Sequence, residues 1–262
     1  MSKKSDTLST MIHHLNNIDS TSTELRRRMS EESLAHGYCI TADFQTSGHG
    51  QATNRWESED GKNLLFSLLL RPTIIPAAEQ FIITEFVTLA IINVLQDYIR
   101  QKVTIKWPND IYVGDKKLCG ILIENALCGP TIDTCIVGIG ININQEEFKS
   151  DAPNPISLKQ LNGRNNDREE IFEEIYQNIL NYYSYLADNW ANDDIKQSLH
   201  YEYMNNLYRR EGYHNYSTPE GELFSAEIEE IGPQGHLNLR LQSGEQRIFA
   251  FKEVIFELNK LQ

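Results

Sequence analysis

Apolar and polar positions divide the chain into a long first part mixing strands with helices and a short last part of strands alone. Ile18 to Leu25 predicts the end of a strand followed by a helix to about His36, with Thr21 and Glu24 spaced as a capping box. Tyr38 to Phe44 and Leu64 to Leu70 are strand-like, and the polar stretch from Gln45 to Asn63 separates them. A structureless loop of such length inside a compact domain is either functional or disordered. Pro76 opens a long apolar helix reaching about Arg100. A hairpin over Val103 to Glu124 follows, then a strand ending in Gly138-Ile139-Gly140-Ile141-Asn142, and a linker over residues 144 to 156 with Pro153 and Pro155. Two helices come next, the first capped by Asp167 with Glu170 three residues on, and its Phe, Tyr and Leu residues at helical spacing read as a packing stripe. From about Tyr213 the pattern becomes short strands: Leu223 to Ile231, His236 to Leu241, Arg247 to Phe251 and Val254 to Leu258. The glycine-bearing turns between them suit a small β-barrel of SH3-like size.

The hairpin departs from the apolar pattern. Val103-Thr104-Ile105 is a β-branched strand, Pro108 breaks the ladder, Ile111 to Val113 resumes it, and Gly114-Asp115 turns the chain into Leu118 to Glu124. Lys106 and Asp110 fall at the strand mouth. A period of two places Lys117 on one face with Cys119, Ile121 and Ile123, and Leu118, Gly120 and Leu122 on the other, so the strand is apolar on both faces and central. An ammonium in such a frame is paired, deprotonated or facing a ligand, because a buried charge without a partner is costly. Lys117 reads either as a cation for an anionic substrate or as a strand end snorkelling to water.

Charge narrows the partners. Twenty-four basic against thirty-seven acidic residues give a net charge of −13 over 262 residues, a poor match for a nucleic-acid backbone or an anionic membrane. The start of the chain lacks an apolar run after its two lysines, so neither a signal peptide nor a membrane span is expected, and the expected location is cytoplasmic. Cys39, Cys119, Cys128 and Cys135 form no C-x-x-C pair and read as buried free thiols.

Taken in order, Gln45-Thr46-Ser47-Gly48-His49-Gly50, Lys106-Trp107-Pro108-Asn109-Asp110, Lys117-Leu118-Cys119-Gly120-Ile121-Leu122-Ile123-Glu124 and Gly138-Ile139-Gly140-Ile141-Asn142 resemble the biotin–protein ligases. The resemblance implies an α+β fold: a mixed or antiparallel central sheet with helices, like class II aminoacyl-tRNA synthetases, over residues 1–212, and an SH3-like β-barrel over residues 213–262. It is to the monofunctional kind, since the pattern begins near Ile18 and leaves no room for a winged-helix repressor domain. It implies ATP and Mg²⁺ as cofactors and biotin as substrate. The acceptor implied is a biotin carboxyl carrier protein of the acetyl-CoA carboxylase type, and a homodimer is left open.

Residue by residue, the resemblance makes Lys117, Asp110 and Lys106 catalytic. Lys117 would sit near the biotin carboxylate and α-phosphate and Lys106 near the phosphates, offsetting the charge of one anion attacking another. Asp110 would take or orient a proton of the acceptor amine, whose ordinary pKa is ~10.4; with Asn109 its oxygens would equally suit a hard cation. Ser20, Thr21, Ser22, Gln45, His49, Gly50, Gln51, Lys117, Gly120, Gly138 and Gly140 would contact biotin, and Gln51, Asn54, Trp56, Lys106, Asn109 and Asn142 the adenylate. Thr21 is also a helix cap on its own pattern, and the glycines also suit tight strand packing. Where the family carries Gly-Arg-Gly-Arg and further arginines, this chain reads Gly48-His49-Gly50-Gln51-Ala52-Thr53-Asn54-Arg55-Trp56, so weaker retention of the adenylate and pH-dependent activity are expected. A lipoate ligase is the nearest rival, and a non-catalytic binder with a decayed loop is the rival from another class.

Overall fold

The computed structural model describes residues 11–48, 50, 55–149 and 154–257. Strands β1 (Ile12–Ile18), β2 (Cys39–Gln45), β3 (Leu64–Leu70), β4 (Val103–Lys106), β5 (Asp110–Val113), β6 (Lys116–Cys128) and β7 (Thr131–Ile141) form one sheet in the order β1-β2-β3-β7-β6-β5-β4. Only β1 and β2 run parallel; every other pair is antiparallel. The central position of β6 matches its two apolar faces.

Period-two patterning assigns the faces. Cys39, Phe66, Leu68, Cys119, Ile121, Val137 and Ile139 belong to the main core, which they share with helices α2 (Phe81–Tyr98) and α4 (Arg168–Asp188). Each fully buried large apolar side chain there contributes ~1.5–3 kcal/mol. Helix α2 is long and apolar enough to cross a membrane by length and composition, and it is mostly buried inside the protein. On the opposite face, Ile40, Leu69 and Ile136 pack on Leu25 of helix α1 (Thr21–Glu31), and the rest of that face is left to the cleft described below.

Helix α1 stops at Glu31 rather than near His36, because Glu32 already has extended backbone. The expected Thr21–Glu24 box does not form: Ser20 is the N-cap without a side-chain cap bond, and Glu24 turns to Arg27 and Arg28. Asp167 caps α4 as expected, accepting from the Glu169 and Glu170 N–H groups. A short helix α3 (Leu158–Asn162) was not anticipated after the linker; its signal is the Ser157–Gln160 capping box. Helix α5 (Asp193–Asn205) leads to five antiparallel strands, β8 (His214–Ser217), β9 (Leu223–Ile231), β10 (Leu237–Leu241), β11 (Gln246–Phe249) and β12 (Ile255–Phe256), in the order β11-β10-β9-β8-β12. Four of these strands match the pattern-based expectation and β8 is additional. Phe251 falls outside β11, on the turn toward β12.

The small sheet is joined to the large one. The Trp107 indole donates to the Gly235 carbonyl (2.9 Å), and Tyr203 of α5 donates to the Pro108 carbonyl (2.7 Å). Both bonds land on the turn between β4 and β5, the turn that presents Lys106 and Asp110.

Candidate functional site

Glycines form the floor of a cleft on the α1 side of the large sheet. Gly120 pairs with Gly140, Leu122 with Gly138, and Gly138 with Ser67, so all lie on one face. A Cβ at Gly140 would stand 2.5 Å from the Trp56 ring and one at Gly120 2.7 Å from it, closer than real side chains pack. The expected close approach is therefore made in this structure by an indole. Trp56 donates its backbone N–H to the Gly48 carbonyl (3.0 Å), and its buried indole Nε1 has no hydrogen-bond partner among the described residues. Fully buried Asn63 braces the segment that follows, donating to Gln145 (2.6 Å), whose oxygen also accepts the Glu59 N–H (3.0 Å).

Lys117 belongs to this cleft, against the alternation expected from sequence. Ile111 pairs with Cys119 but Tyr112 with Lys117, so Leu118 is an extra residue, a β-bulge. The bulge turns Lys117 away from buried Cys119 and onto the Gly120 face, where its Cε lies 3.3 Å from the position of a Gly120 Cβ. Its backbone is fixed from the other side: the Lys117 N–H donates to the Asn154 carbonyl (2.8 Å) and its carbonyl accepts the Ile156 N–H (2.9 Å). The end of the supposed linker is thus a strap on the lysine.

The register carries the neighbouring charges to the same face. Lys106 lies directly across from Asp110, and Tyr112 across from Lys117. Lys117 donates to Asp110 at 2.6 Å, both side chains being partly exposed. Lys106 donates to the Tyr112 hydroxyl (3.3 Å), and burial pulls its pKa below the usual lysine value against the pull of Asp110.

The far end of the cleft is neutral. Ser20, Thr21 and Ser22 are buried at the N-terminus of α1, whose partial positive charge faces the cleft. Thr21 donates to the Gln45 side-chain oxygen from both its N–H (2.7 Å) and its hydroxyl (3.1 Å), and the hydroxyl also meets Ser67 Oγ (2.8 Å). The Ser20 and Ser22 hydroxyls are 3.0 Å apart. Thr21, the first helical residue rather than the cap, is thereby free to knit α1 to β2 and β3.

Of the residues expected at a site, Ser20, Thr21, Ser22, Gln45, Gly50, Trp56, Asp110, Lys117, Gly120, Gly138 and Gly140 line this one cleft. Asn142 does not: β7 has ended, and its amide donates to the Ile156 carbonyl (3.2 Å) while its buried Oδ1 has no hydrogen-bond partner among the described residues. Lys106 and buried Asn109 stand behind the lining rather than in it. His49, Gln51 and Asn54 lie outside the described residues. Ser67, Arg55 and Phe251 line the cleft and were missed. Ser67 had a signal, one polar residue inside an apolar strand; Phe251, contributed by the turn after β11, had none.

Among the described residues no group of three or more His, Cys, Asp or Glu could hold a metal ion, and the acid lining the cleft already meets the Lys117 ammonium. The donors do not fit a protein-held Mg²⁺.

Neutral donors at one end, an ammonium at the other and a flat floor between suit a ligand with a polar ring and an anionic tail. Fold and cleft together define an α+β protein whose central sheet carries a small-molecule-sized cleft. Residues 15–142 match the model of the Biotin/lipoate A/B protein ligase family. It is 31% identical over 170 residues to the bifunctional ligase/repressor BirA of Bacillus subtilis (63% of this chain, 51% of that protein) and 35% identical over 158 residues to that of Escherichia coli (59% and 47%). The chain thus spans about half the length of these relatives. In fold it matches the Aquifex aeolicus biotin protein ligase in complex with biotin and ATP, with TM-score 0.74 at 22% identity over 93% of this chain and 97% of that one.

Proposed function

We propose that this protein is an ATP-dependent biotin–protein ligase. A biotin carboxylate oxygen attacks the α-phosphorus of ATP, the bond to the leaving pyrophosphate breaks, and biotinyl-AMP forms. An acceptor lysine amine then attacks the acyl carbon and AMP leaves. The observation that carries the reading is the bulge at Leu118, which places the Lys117 ammonium on the glycine face beside Asp110. As charge builds on the carboxylate and phosphoryl oxygens, a fixed cation stabilises the transition state more than the ground state. Drawn toward those oxygens, Lys117 releases the Asp110 carboxylate, which takes the proton from the acceptor amine. Ser20, Thr21, Ser22 and Gln45 hold the ureido ring, Gly120 and Gly140 seat the Trp56 indole against the sheet so that the tail runs beside it, and Trp56 contacts the adenylate.

The acceptor is a lysine of a biotin carboxyl carrier domain, the location is cytoplasmic, and the strands after residue 213 are a small barrel domain docked on the first. The experiment is exchange of labelled pyrophosphate into ATP, run with biotin and separately with lipoate, followed by transfer to a carrier domain. Exchange with biotin alone is expected; exchange with lipoate alone, or biotin binding without AMP production, overturns the reading.

A further inference from the structure

The two lysines of the hairpin are held differently. Lys117 has a carboxylate partner; the Lys106 ammonium has a phenol hydroxyl and two aromatic faces, its Nζ lying 4.9 Å from the Tyr112 ring centroid and 5.6 Å from that of Phe256. Phe256 belongs to β12 of the small sheet and is buried. It meets Tyr216 edge-on at 5.0 Å and stacks on Tyr208 at 6.4 Å, and Tyr208 lies 5.5 Å from Tyr112. Four rings therefore run from the core of the small sheet to the hairpin. Tyr208 is tied at its other end, donating to Asp115 at 2.5 Å, and its backbone N–H donates to the Ile105 carbonyl beside Lys106 (2.8 Å).

We propose that Phe256 is a positioning residue for Lys106, so that the C-terminal sheet holds the second lysine of the hairpin in place for the nucleotide phosphates. The inference rests on the function proposed above. The groups facing Lys106 are Asp110 and Tyr112 on β5, Lys117 on β6, and Tyr208 and Arg209 on the segment after α5, with Asp115 at the far end of Tyr208. Asp110 favours the cation; Lys117, Arg209 and burial oppose it. The ring face favours it too, because an aromatic quadrupole attracts an ammonium. Two substitutions therefore pull in opposite directions. Phe256→Ala admits water, which hydrates the ammonium and raises its proton affinity. Phe256→Leu keeps the site dry and removes only the ring face, which lowers it.

The test follows acylation of Lys106 by acetic anhydride against pH, read by peptide mass spectrometry, on the full chain without substrates. The midpoint is expected to move up in Phe256→Ala and down in Phe256→Leu, each by about half a pH unit. The alkaline limb of biotin-dependent pyrophosphate exchange should move with it and vanish in Lys106→Arg, whose charge does not titrate in that range. Unmoved midpoints in a folded Phe256→Leu protein overturn the proposal, as do shifts of the same sign in both variants. Shifted midpoints in a protein that performs no exchange with biotin leave the positioning role standing and overturn the function assigned to the site.

Discussion

At one end of the cleft the hydroxyls of Ser20, Thr21 and Ser22 come from a helix terminus, and that of Thr21 meets Gln45 and Ser67 from two strands, whereas at the other Asp110 and Lys117 come from one hairpin, seven residues apart. The neutral end is assembled over long sequence separations and its hydrogen bonds exist before any ligand arrives. The charged end is local, and its geometry depends on a single extra residue in β6. The difference assigns the labour: preorganised neutral donors give recognition, and an ammonium that can exchange a carboxylate for a substrate oxygen gives chemistry.

Changing Asp110 separates the two ends most sharply. Asp110→Asn keeps the shape and removes the proton acceptor, so transfer to the carrier lysine should fall by ~10²-fold or more while adenylate formation changes much less. Single-turnover measurement of each half-reaction decides it; equal losses in both steps would make Asp110 a partner of Lys117 only. Gly140→Val attacks the floor between the ends. With a Cβ already 2.5 Å from the Trp56 ring, overpacking of ~1–3 kcal/mol is expected, read as roughly 10- to 100-fold weaker biotin binding by calorimetry.

At the neutral end, Thr21→Val leaves Ser67 and Gln45 each short of a partner, and roughly tenfold weaker binding of biotin is expected with the adenylation rate at saturation unchanged. A loss of rate without a loss of affinity would erase the distinction between the ends. The smallest effect lies outside both. His200 on α5 is 2.6 Å from the buried Glu85 carboxylate on α2, and that hydrogen bond raises the His200 pKa. The stability it contributes is fully present below the ordinary histidine value of ~6.5 and is lost as pH rises through the raised value. Melting temperature against pH should fall more steeply in the wild type over that window than in His200→Gln, and parallel curves would remove the pair from the account.

Much of the architecture was legible in the chain because its cues are local. The Asp167 cap, the apolar helix, which starts at Phe81 after a short 3-10 turn rather than at Pro76, the break at Pro108 and the turn at Gly114 each depend on residues within one or two turns. The motifs that carry Lys117, Gly120 and Gly140 converge on one cleft. The face of Lys117 was not legible, because a bulge is set by pairing with β5 and with the Asn154–Ile156 strap, neither of which strand periodicity contains. Thr21 misled for the same reason: its spacing from Glu24 suits a cap, but Gln45 and Ser67, twenty-four and forty-six residues away, claim the hydroxyl. Phe251, on a turn between the last two strands, and Phe256, on the last of them, approach the hairpin from another part of the chain, which no local pattern could announce.

The division of labour rests on Lys117. The most direct measurement is single-turnover formation of biotinyl-AMP by Lys117→Ala at saturating biotin and ATP, with the biotin Kd measured in parallel. The account predicts a rate lower by ~10²- to 10³-fold with biotin affinity nearly unchanged; an undiminished rate, or a loss confined to affinity, would contradict it.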